Sequence, residues 1–502
     1  MTQPLRSRAL VLALAAAFPL TASAAGKSDA ADLAEIRAQL KAMKDGYEKR
    51  IAALEARLQT AETRAGQAET AAVAAQGSAA TAETAASAAA TRASSAESVA
   101  AAAQSSAQAA SQRPTQASAF NPEISLILSG SYVNASQNPG RAYRIQGFVP
   151  TLGEALPTAR SFNLGESELA ISANVDHLFR GNFRAAISPD NSIGVEEASI
   201  QTLGLGQGFN LKAGRFLSGV GYLNEQHPHE WDFADAPLPY QAFFGFNLGM
   251  DGVQARWLAP TETFFEIGAE AARARSFPSR DETRNKNGFM SGALFAHVGG
   301  DLGASHSWKT GLSYFQTKPN GRSYDDPVAE HVTQTFTGTS KTWIADFVWK
   351  WAPQGNPQYR NFKFQTEYFR RTENGTFGYD DTGAGGPVGA VDGGYRSTQS
   401  GWYAQGVYQF MPNWRIGLRH DQLTSGNARI GVVQDGLVAM SALPYLETYN
   451  PRRNTVMMDW SPSEFSRVRL QYNRDQSRPD MTDNVVWLQY IMSLGAHGAH
   501  KF

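Results

Sequence analysis

The sequence contains no cysteine, and none of its apolar runs reaches the roughly 18 residues that indicate a transmembrane helix. Without cysteine, the chain cannot form a disulfide scaffold, a catalytic thiol or a thiolate zinc site. Without a long apolar run, a multi-span helical membrane protein is excluded. Neither sign of charge dominates, because 45 lysines and arginines face 46 aspartates and glutamates. This balance argues against nucleic-acid binding as the main role.

Common catalytic motifs are also missing. The sequence has no Gly-x-Ser-x-Gly, which places the nucleophile of many hydrolases, and no Gly-x-x-x-x-Gly-Lys, which cradles phosphates. The glycine-rich tract 383–389 has no helical pattern after it, so it is typical of an exposed loop. We therefore expect the protein not to be an enzyme.

The first 24 residues have the three parts of a secretory signal peptide in their usual order. Arg6 and Arg8 are followed by the apolar segment 9–20 and by the small-residue cleavage motif 22–24. The apolar segment is too short to span a bilayer as a helix. We predict that residues 1–24 are removed on export.

Residues 25–112 show a helical period with few interruptions. Apolar residues recur at alternating spacings of three and four, which is typical of a coiled-coil seam, as at Leu33, Ile36, Leu40, Met43 and later positions. Alanine dominates after residue 61, and it favours helix but buries little surface. We predict a periplasmic coiled coil that joins subunits; an alanine-rich, partly disordered linker is the alternative. Residues 113–121, which include Pro114, are predicted to be a linker.

From residue 122 to 502 the hydrophobic period changes to two, as in β-strands with one apolar and one polar face. In one example, Leu169, Ile171 and Ala173 alternate with polar residues. The pattern predicts strands near sixteen segments: 124–132, 165–175, 182–188, 195–202, 210–217, 252–258, 263–271, 289–298, 306–316, 341–351, 361–370, 401–410, 413–420, 454–460, 465–473 and 485–494.

Alternation alone also fits a soluble β-sandwich or propeller, so the choice depends on further features. Most segments have the length that a tilted strand needs to cross a bilayer. Tryptophans cluster near strand ends, as in the aromatic girdles of membrane barrels: Trp257, Trp308, Trp343, Trp351, Trp402, Trp414, Trp460 and Trp487. With the export signal, these features predict an all-β transmembrane barrel of about 16 antiparallel strands in the bacterial outer membrane. A barrel of that size would leave a watery lumen.

Two short motifs add a family resemblance. The stretch 195–198 (Val-Glu-Glu-Ala) followed by 211–216 (Leu-Lys-Ala-Gly-Arg-Phe) resembles a strand pair of the phosphate-selective porin O and P family. The terminal Phe502, after an alternating last strand, resembles the assembly signal of outer-membrane proteins. The resemblance implies a homotrimeric, passive, anion-conducting pore lined by lysines and arginines.

Several charged residues occupy the polar faces of the predicted strands, so we expect them to line the pore: Arg256, Arg415, Arg419, Arg467, Arg469, Glu266 and Glu270. The composition departs from the family pattern, because residues 120–502 hold 33 basic and 36 acidic residues. We therefore expect at most a weak, phosphate-like anion preference.

The long segment 217–250 separates two strand candidates and is predicted to fold inward as a constriction loop, with Trp231, Asp232 and Asp235 as its main residues. His227 and His229 could bind a divalent metal such as zinc together with Glu230, Asp232 or Asp235. A purely structural loop is the alternative, and no cofactor is otherwise expected.

The sequence thus predicts a porin-like channel for passive diffusion of small hydrophilic solutes or ions, in contact with outer-membrane lipid. Two alternatives stay open. A second histidine pair, His497 and His500, favours a zinc-regulated outer-membrane receptor or metal-uptake barrel. The predicted coiled coil favours a structural barrel that anchors a periplasmic stalk.

Overall fold

The structure is a computed structural model, and it describes residues 122–138, 145–151, 159–188, 192–279, 287–326 and 329–495, together with scattered positions between 41 and 66. The scattered positions are helical and exposed. The predicted signal peptide 1–24, nearly all of the predicted coiled coil 25–112 and the predicted linker 113–121 lie outside the described residues. Among the described residues, no helix is long and apolar enough to cross a membrane.

In the part of the chain that the structure describes, nineteen strands form one antiparallel sheet. In chain order they are β1 Glu123–Ala135, β2 Ser161–Leu164, β3 Ser167–Asn174, β4 Phe179–Ile187, β5 Ile193–Thr202, β6 Phe209–Leu217, β7 Gly249–Leu258, β8 Phe264–Ala274, β9 Ser291–Leu302, β10 His306–Thr317, β11 Arg322–Asp325, β12 Thr333–Trp351, β13 Asn361–Asp380, β14 Ala390–Met411, β15 Trp414–Thr424, β16 Arg429–Ile430, β17 Arg452–Ser463, β18 Ser466–Arg478 and β19 Met481–Gly495.

Three of these strands continue a neighbouring strand after a break. Both β2 and β3 pair with β1, both β10 and β11 pair with β12, and both β15 and β16 pair with β14. Counting each such pair once leaves 16 strands from the 19. The first and last strands pair with each other from Ser125 opposite Gly495 to Ala135 opposite Val485, so the sheet closes. This confirms the predicted 16-stranded antiparallel barrel.

The outer face of the barrel is apolar along every part of the sheet. Large exposed side chains on this face include Ile124, Leu211, Leu312, Leu418 and Leu488. Polar side chains alternate with them and are buried on the inner face, as the period of two requires. An apolar outer face around a closed sheet fits a lipid bilayer, since closure satisfies every backbone group of the ladder.

The predicted aromatic girdle is only partly present. Trp414 and Trp460 stack at 6.1 Å on the outer face beside two short turns, and Trp343 and Trp402 are also exposed. Trp487 instead faces inward and packs with Val133, because odd-numbered residues of β19 point to the lumen.

Helical segments lie in the connections. The α-helices are Leu238–Phe244 and Gly431–Gln434, and the 3-10 turns are Pro228–Glu230, Pro353–Gly355, Thr382–Ala384, Met440–Ala442 and Pro444–Leu446. Two apolar clusters of the described residues involve these connections. One joins the segment between β6 and β7 to inner-face residues such as Phe315 and Phe369. The other packs long connections together around Tyr324 and Tyr445.

Candidate functional site

The segment Ser218–Leu248, between β6 and β7, lies inside the barrel, and we call it the lumen loop. Most of its residues are buried, and the others are partly buried. Its polar atoms contact inward side chains of strands spread around the circumference, from Glu270 on β8 through Glu367 on β13 to Asn473 on β18. Contacts on opposite sides of a closed barrel place the loop across the lumen. The interior of the barrel is therefore largely occupied by protein rather than by water alone.

The loop docks first through an apolar helix. Leu238–Phe244 is buried on all sides. The ring of Phe243 stacks on Phe369 of β13 with centroids 5.7 Å apart, and Tyr240 meets the same ring edge-on at 5.1 Å. Phe315, Ile344 and Tyr403 complete an apolar strip on the inner face of adjacent strands. This apolar part of the inner face positions the helix.

The carboxylate of Glu367 fixes the loop backbone beside this helix. It accepts hydrogen bonds from the amides of Tyr222 (3.0 Å) and Leu223 (3.1 Å) and from the hydroxyls of Tyr240 (2.9 Å) and Tyr403 (2.6 Å). Gly221 has a φ of +68°, and a Cβ there would collide with the carboxylate. Only glycine allows this close approach.

Two aspartates of the loop bind a set of basic residues that we call the basic wall: Lys363, Arg415, Arg419 and Arg453. Asp232 lies 2.7 Å from Nζ of Lys363 and 3.1 Å from Nη1 of Arg415. Burial on its own would raise the pKa of Asp232, but Lys363 and Arg415 hold that pKa well below its usual range. Asp232 therefore stays charged at neutral pH and ties this part of the loop to β13 and β15.

Asp235 is the second aspartate. It lies 2.8 Å from Nη2 of Arg419 and 3.0 Å from Nη1 of Arg453, and it accepts 2.8 Å hydrogen bonds from the amides of Gln471 and Asn473. Burial would raise its pKa, but Arg453 and Arg419 outweigh that effect and lower it. All of its carboxylate contacts are thus to strands β15, β17 and β18.

The start of the loop meets three glutamates, Glu168, Glu196 and Glu197, which we call the carboxylate wall. The His227 Nδ1 atom lies 3.0 Å from an oxygen of Glu168 and 3.0 Å from one of Glu196, while Nε2 lies 2.9 Å from Glu197. Burial alone would lower the pKa of His227, but the three carboxylates hold it well above the usual range. His229 stacks nearby with its ring centroid 6.0 Å away, and burial lowers its pKa to about 4.

A break in strand register brings two of these glutamates to the same side. Arg184 of β4 pairs with Glu197 and Ala185 pairs with Val195, so Glu196 is an extra residue in β5. Such a bulge redirects a side chain that would otherwise alternate to the outer face. Glu196 and Glu197 can therefore both contact His227.

The predicted pore-lining residues divide into two groups. Arg256, Glu266 and Arg415 keep 16–21% of their side-chain surface exposed within the lumen. Arg419 and Arg469 are nearly fully covered, as is Glu270, which accepts bonds from Ser218 and Gly219 of the loop. Arg467 and Arg469 both donate to the carbonyl of Trp231. The structure places these residues on the inner face of the barrel, where they contact the lumen loop directly.

The predicted loop residues are brought together only in part. Asp232 and Asp235 bind the basic wall, and Trp231 is buried against Phe246. His227 and His229 lie on the other side of the loop, so the expected aspartate ligands Asp232 and Asp235 are taken by arginine and lysine.

Sequence reasoning missed Glu196 and Glu197 as partners of His227, and it missed three lysines on one inner face: Lys309, Lys350 and Lys363. In the structure these lysines lie on β10, β12 and β13, with Lys350 directly opposite Lys363. Alternation could have placed the lysines in the lumen, because each follows the polar phase of its strand. No local signal marks the bulge at Glu196.

Comparison with known proteins shows which family this chain belongs to. No protein-family model matches the chain. An uncharacterised protein of Aquifex aeolicus (strain VF5) is 31% identical over 422 residues, which cover 78% of this chain and 81% of the relative. The chain belongs to the family of that protein. The relative's name states no activity, so membership of the family carries no function with it.

Solved structures give weaker likenesses. The chain is similar to a loop L8 deletion mutant of the outer-membrane protein OmpT of Vibrio cholerae, with 9% identity, a TM-score of 0.47 and coverage of 74% of this chain and 99% of that one. It is similar to the outer-membrane channel DcaP of Acinetobacter baumannii, with 12% identity, a TM-score of 0.44 and coverage of 74% of this chain and 96% of that one. It is also similar to an anion-selective porin of Comamonas acidovorans, with 8% identity, a TM-score of 0.42 and coverage of 74% of this chain and 99% of that one. Because these identities and TM-scores are low, function must be argued from this chain's own residues.

Proposed function

We propose that the protein is an outer-membrane channel for the passive diffusion of small hydrophilic solutes or ions. The observation that carries this proposal is a closed barrel of 16 strands with an apolar outer face and a lumen loop that is fixed to its polar inner wall. Sixteen strands enclose more space than the wall side chains can fill, and an inward loop is the feature that narrows such a space. We propose no catalytic role for the lumen residues.

The route would pass between two partly exposed groups of charges. On one side, Arg256 lies 3.6 Å from Glu266 and 2.5 Å from Glu225 of the loop. On the other side, Lys363 and Arg415 contact Asp232. Each of these residues except Asp232 keeps 16–21% of its side-chain surface exposed. Charges that retain contact with water inside a barrel mark where a hydrated solute could pass.

We propose a weak preference for anions. The lysine row Lys309, Lys350 and Lys363 supports it, because three ammonium groups on adjacent strands raise the local anion concentration. Asp232 and Asp459 bind neighbouring cations and reduce this effect. Glu225 and Glu266 lie across the same space. A mixed lining of this kind favours weak rather than strong selectivity, including for phosphate.

Two further parts of the proposal rest on sequence alone. They are assembly as a homotrimer and a periplasmic position for residues 25–112. A barrel that only anchors a periplasmic stalk is the alternative to the channel. A zinc-regulated receptor or metal-uptake barrel remains a second candidate, and the carboxylate wall around His227 is the observation that favours it.

Conductance of the purified full chain in a planar bilayer tests the main proposal. We expect discrete current steps in potassium chloride. Leu217 and Gly249 are paired in register, so a two-residue turn can replace Ser218–Leu248 without breaking the ladder. That variant should conduct more than the full chain, because the obstruction is removed. Heat-modifiable migration on gels controls for folding in both proteins.

Absence of current steps in correctly folded full-length protein would reject the channel and favour the anchor. Steps of equal size in both proteins would keep the channel but reject the lumen loop as its constriction.

A further inference from the structure

The strongest unexplained feature of the lumen is the arrangement of carboxylates around His227. Two of them approach the same nitrogen: Oε2 of Glu168 and Oε2 of Glu196 each lie 3.0 Å from Nδ1. The third, Glu197, lies 2.9 Å from Nε2 on the opposite side of the ring. The two nitrogens of the imidazole thus bridge β3 and β5 through three carboxylate oxygens.

The histidine cannot donate a full hydrogen bond to both of the carboxylates at Nδ1. A histidine nitrogen carries at most one hydrogen, and the hydrogen at Nδ1 is shared with Glu196. The Oε2 atom of Glu168 is buried and accepts no hydrogen bond from any described residue. The whole Glu168 residue is only 2% exposed. A buried, anionic oxygen without a donor is costly, and it points at the same nitrogen as its neighbour.

We propose that Glu168, Glu196 and Nδ1 of His227 form a binding site for a divalent cation of the zinc class. The three ligand atoms lie within 4.8 Å of one another. Bonds of about 2.0 Å to a tetrahedral zinc ion separate its ligands by about 3.3 Å, close to the two 3.0 Å separations observed. One imidazole nitrogen and two carboxylate oxygens suit zinc, and the ion takes the place of the Nδ1 proton, which is released to solvent.

The surroundings of the three ligands are already ordered for this role. Nη1 of Arg184 donates to Oε1 of Glu168 at 2.8 Å, which leaves Oε2 directed at His227. Glu197 accepts from Nε2, which fixes the ring and favours Nδ1 as the ligand atom. Glu196 keeps 19% of its side chain exposed, so the site can be reached from the lumen, and water can supply the fourth ligand.

The site would join the start of the lumen loop to β3 and β5. This role does not depend on solute diffusion, since a metal could bind whether or not the barrel conducts. The experiment therefore measures metal binding itself and not conductance.

The test is a titration of the detergent-solubilised full chain with zinc chloride, followed by calorimetry against a competing chelator. The titrated protein carries His497→Ala and His500→Ala, so that the second histidine pair cannot contribute. We expect one zinc ion per chain. Glu168→Gln and Glu196→Gln should each weaken the affinity for zinc by about tenfold to 100-fold, since each removes an anionic ligand. Glu464→Gln, at an exposed turn, is the matched control and should leave the affinity unchanged.

X-ray absorption of the zinc-loaded protein reports the ligands independently. We expect one nitrogen and two or three oxygens near 2.0 Å. Glu196 lies on a bulge and is partly exposed, so the Glu196→Gln variant should fold even if Glu168→Gln does not. Absence of stoichiometric binding, or binding that neither variant weakens, would overturn the proposal and leave His227 as an imidazolium held by three carboxylates.

Discussion

Two parts of the lumen loop bind walls of opposite charge. Its first part presents His227 to the carboxylate wall, whereas its middle presents Asp232 and Asp235 to the basic wall. In the basic wall, Asp235 is matched by Arg419 and Arg453 and by two amide donors. In the carboxylate wall, one oxygen of Glu168 has no hydrogen-bond donor among the described residues. In the basic wall the loop aspartate is therefore fully paired, whereas the carboxylate wall keeps one carboxylate oxygen that could bind a ligand.

The ion pairs to the basic wall also change how the charges of the loop act on a passing ion. Without these pairs, the acidic residues of the loop would attract cations. In the structure Asp232 and Asp235 are held in ion pairs, so their charge is largely neutralised within the protein. What a passing ion meets depends on the wall residues that keep contact with water, above all Lys363 and Arg415.

The largest effect is expected at the basic wall. Asp235→Ala removes one of the two aspartates that the buried Arg419 and Arg453 share, the other being Asp421, and loss of one member of a buried ion pair costs about 3–5 kcal/mol. This energy should be lost from the attachment of the loop, because the barrel ladder is untouched. We expect faster amide hydrogen exchange throughout the loop and larger or noisier current steps. Asp435→Ala, at an exposed position, is the control. Unchanged exchange would show that the basic wall does not hold the loop.

A smaller effect is expected at the carboxylate wall. His227→Gln removes charge-assisted contacts worth about 1–3 kcal/mol in total, because Glu196 and Glu197 can turn toward water. Hydrogen exchange should rise near Tyr222–Glu230 and stay slow in Leu238–Phe244. An increase as large as that of Asp235→Ala, or one that spreads to the helix, would contradict the unequal roles of the two walls.

The smallest effect is expected in ion selectivity. Lys350→Gln combined with Lys363→Gln removes two of the three lysines in the row while the loop keeps Asp235 as its anchor. Anion preference should fall, with a change in the permeability ratio of about twofold or less, since salt screens charges beyond about 8 Å. Reversal potentials in a chloride gradient measure this ratio. Lys318→Gln, outside the row, serves as the comparison, and an equal shift in that variant would remove the lysine row from the explanation.

Much of the barrel could be predicted from sequence because its cause is local. A strand between lipid and the lumen must alternate, and segments such as 253–257 and 414–419 show this within a few residues. The site could be predicted only in part. Asp235 binds Arg419 and Arg453, which are about 200 residues away in the chain, and no short pattern records which distant strands will face it. The coiled coil and the linker stay predictions.

The same reasoning applies to the arginines, because alternation predicts their strand face but not their contacts. Alternation puts Arg419 and Arg469 on the inner face, and they are there. Their exposure depends on the loop, which covers them with Asp235 and the carbonyl of Trp231. A bulge such as that at Glu196 is equally hard to predict, because it shifts the phase of β5 by one residue, and the nearby Gly194 pairs in register with Ala186 and is not itself the extra residue.

The position of the lumen loop has a consequence for the order of assembly. Its contacts span 127 residues to Glu367, 184 to Arg419 and 238 to Asn473. The loop is synthesised long before the strands that bind it, and contacts of such long range form slowly. Because β1 pairs with β19, the ring closes only when the last strand arrives. The loop must already be enclosed by then, so its capture by residues of β17 and β18 and the completion of the barrel by β19 are coupled late events.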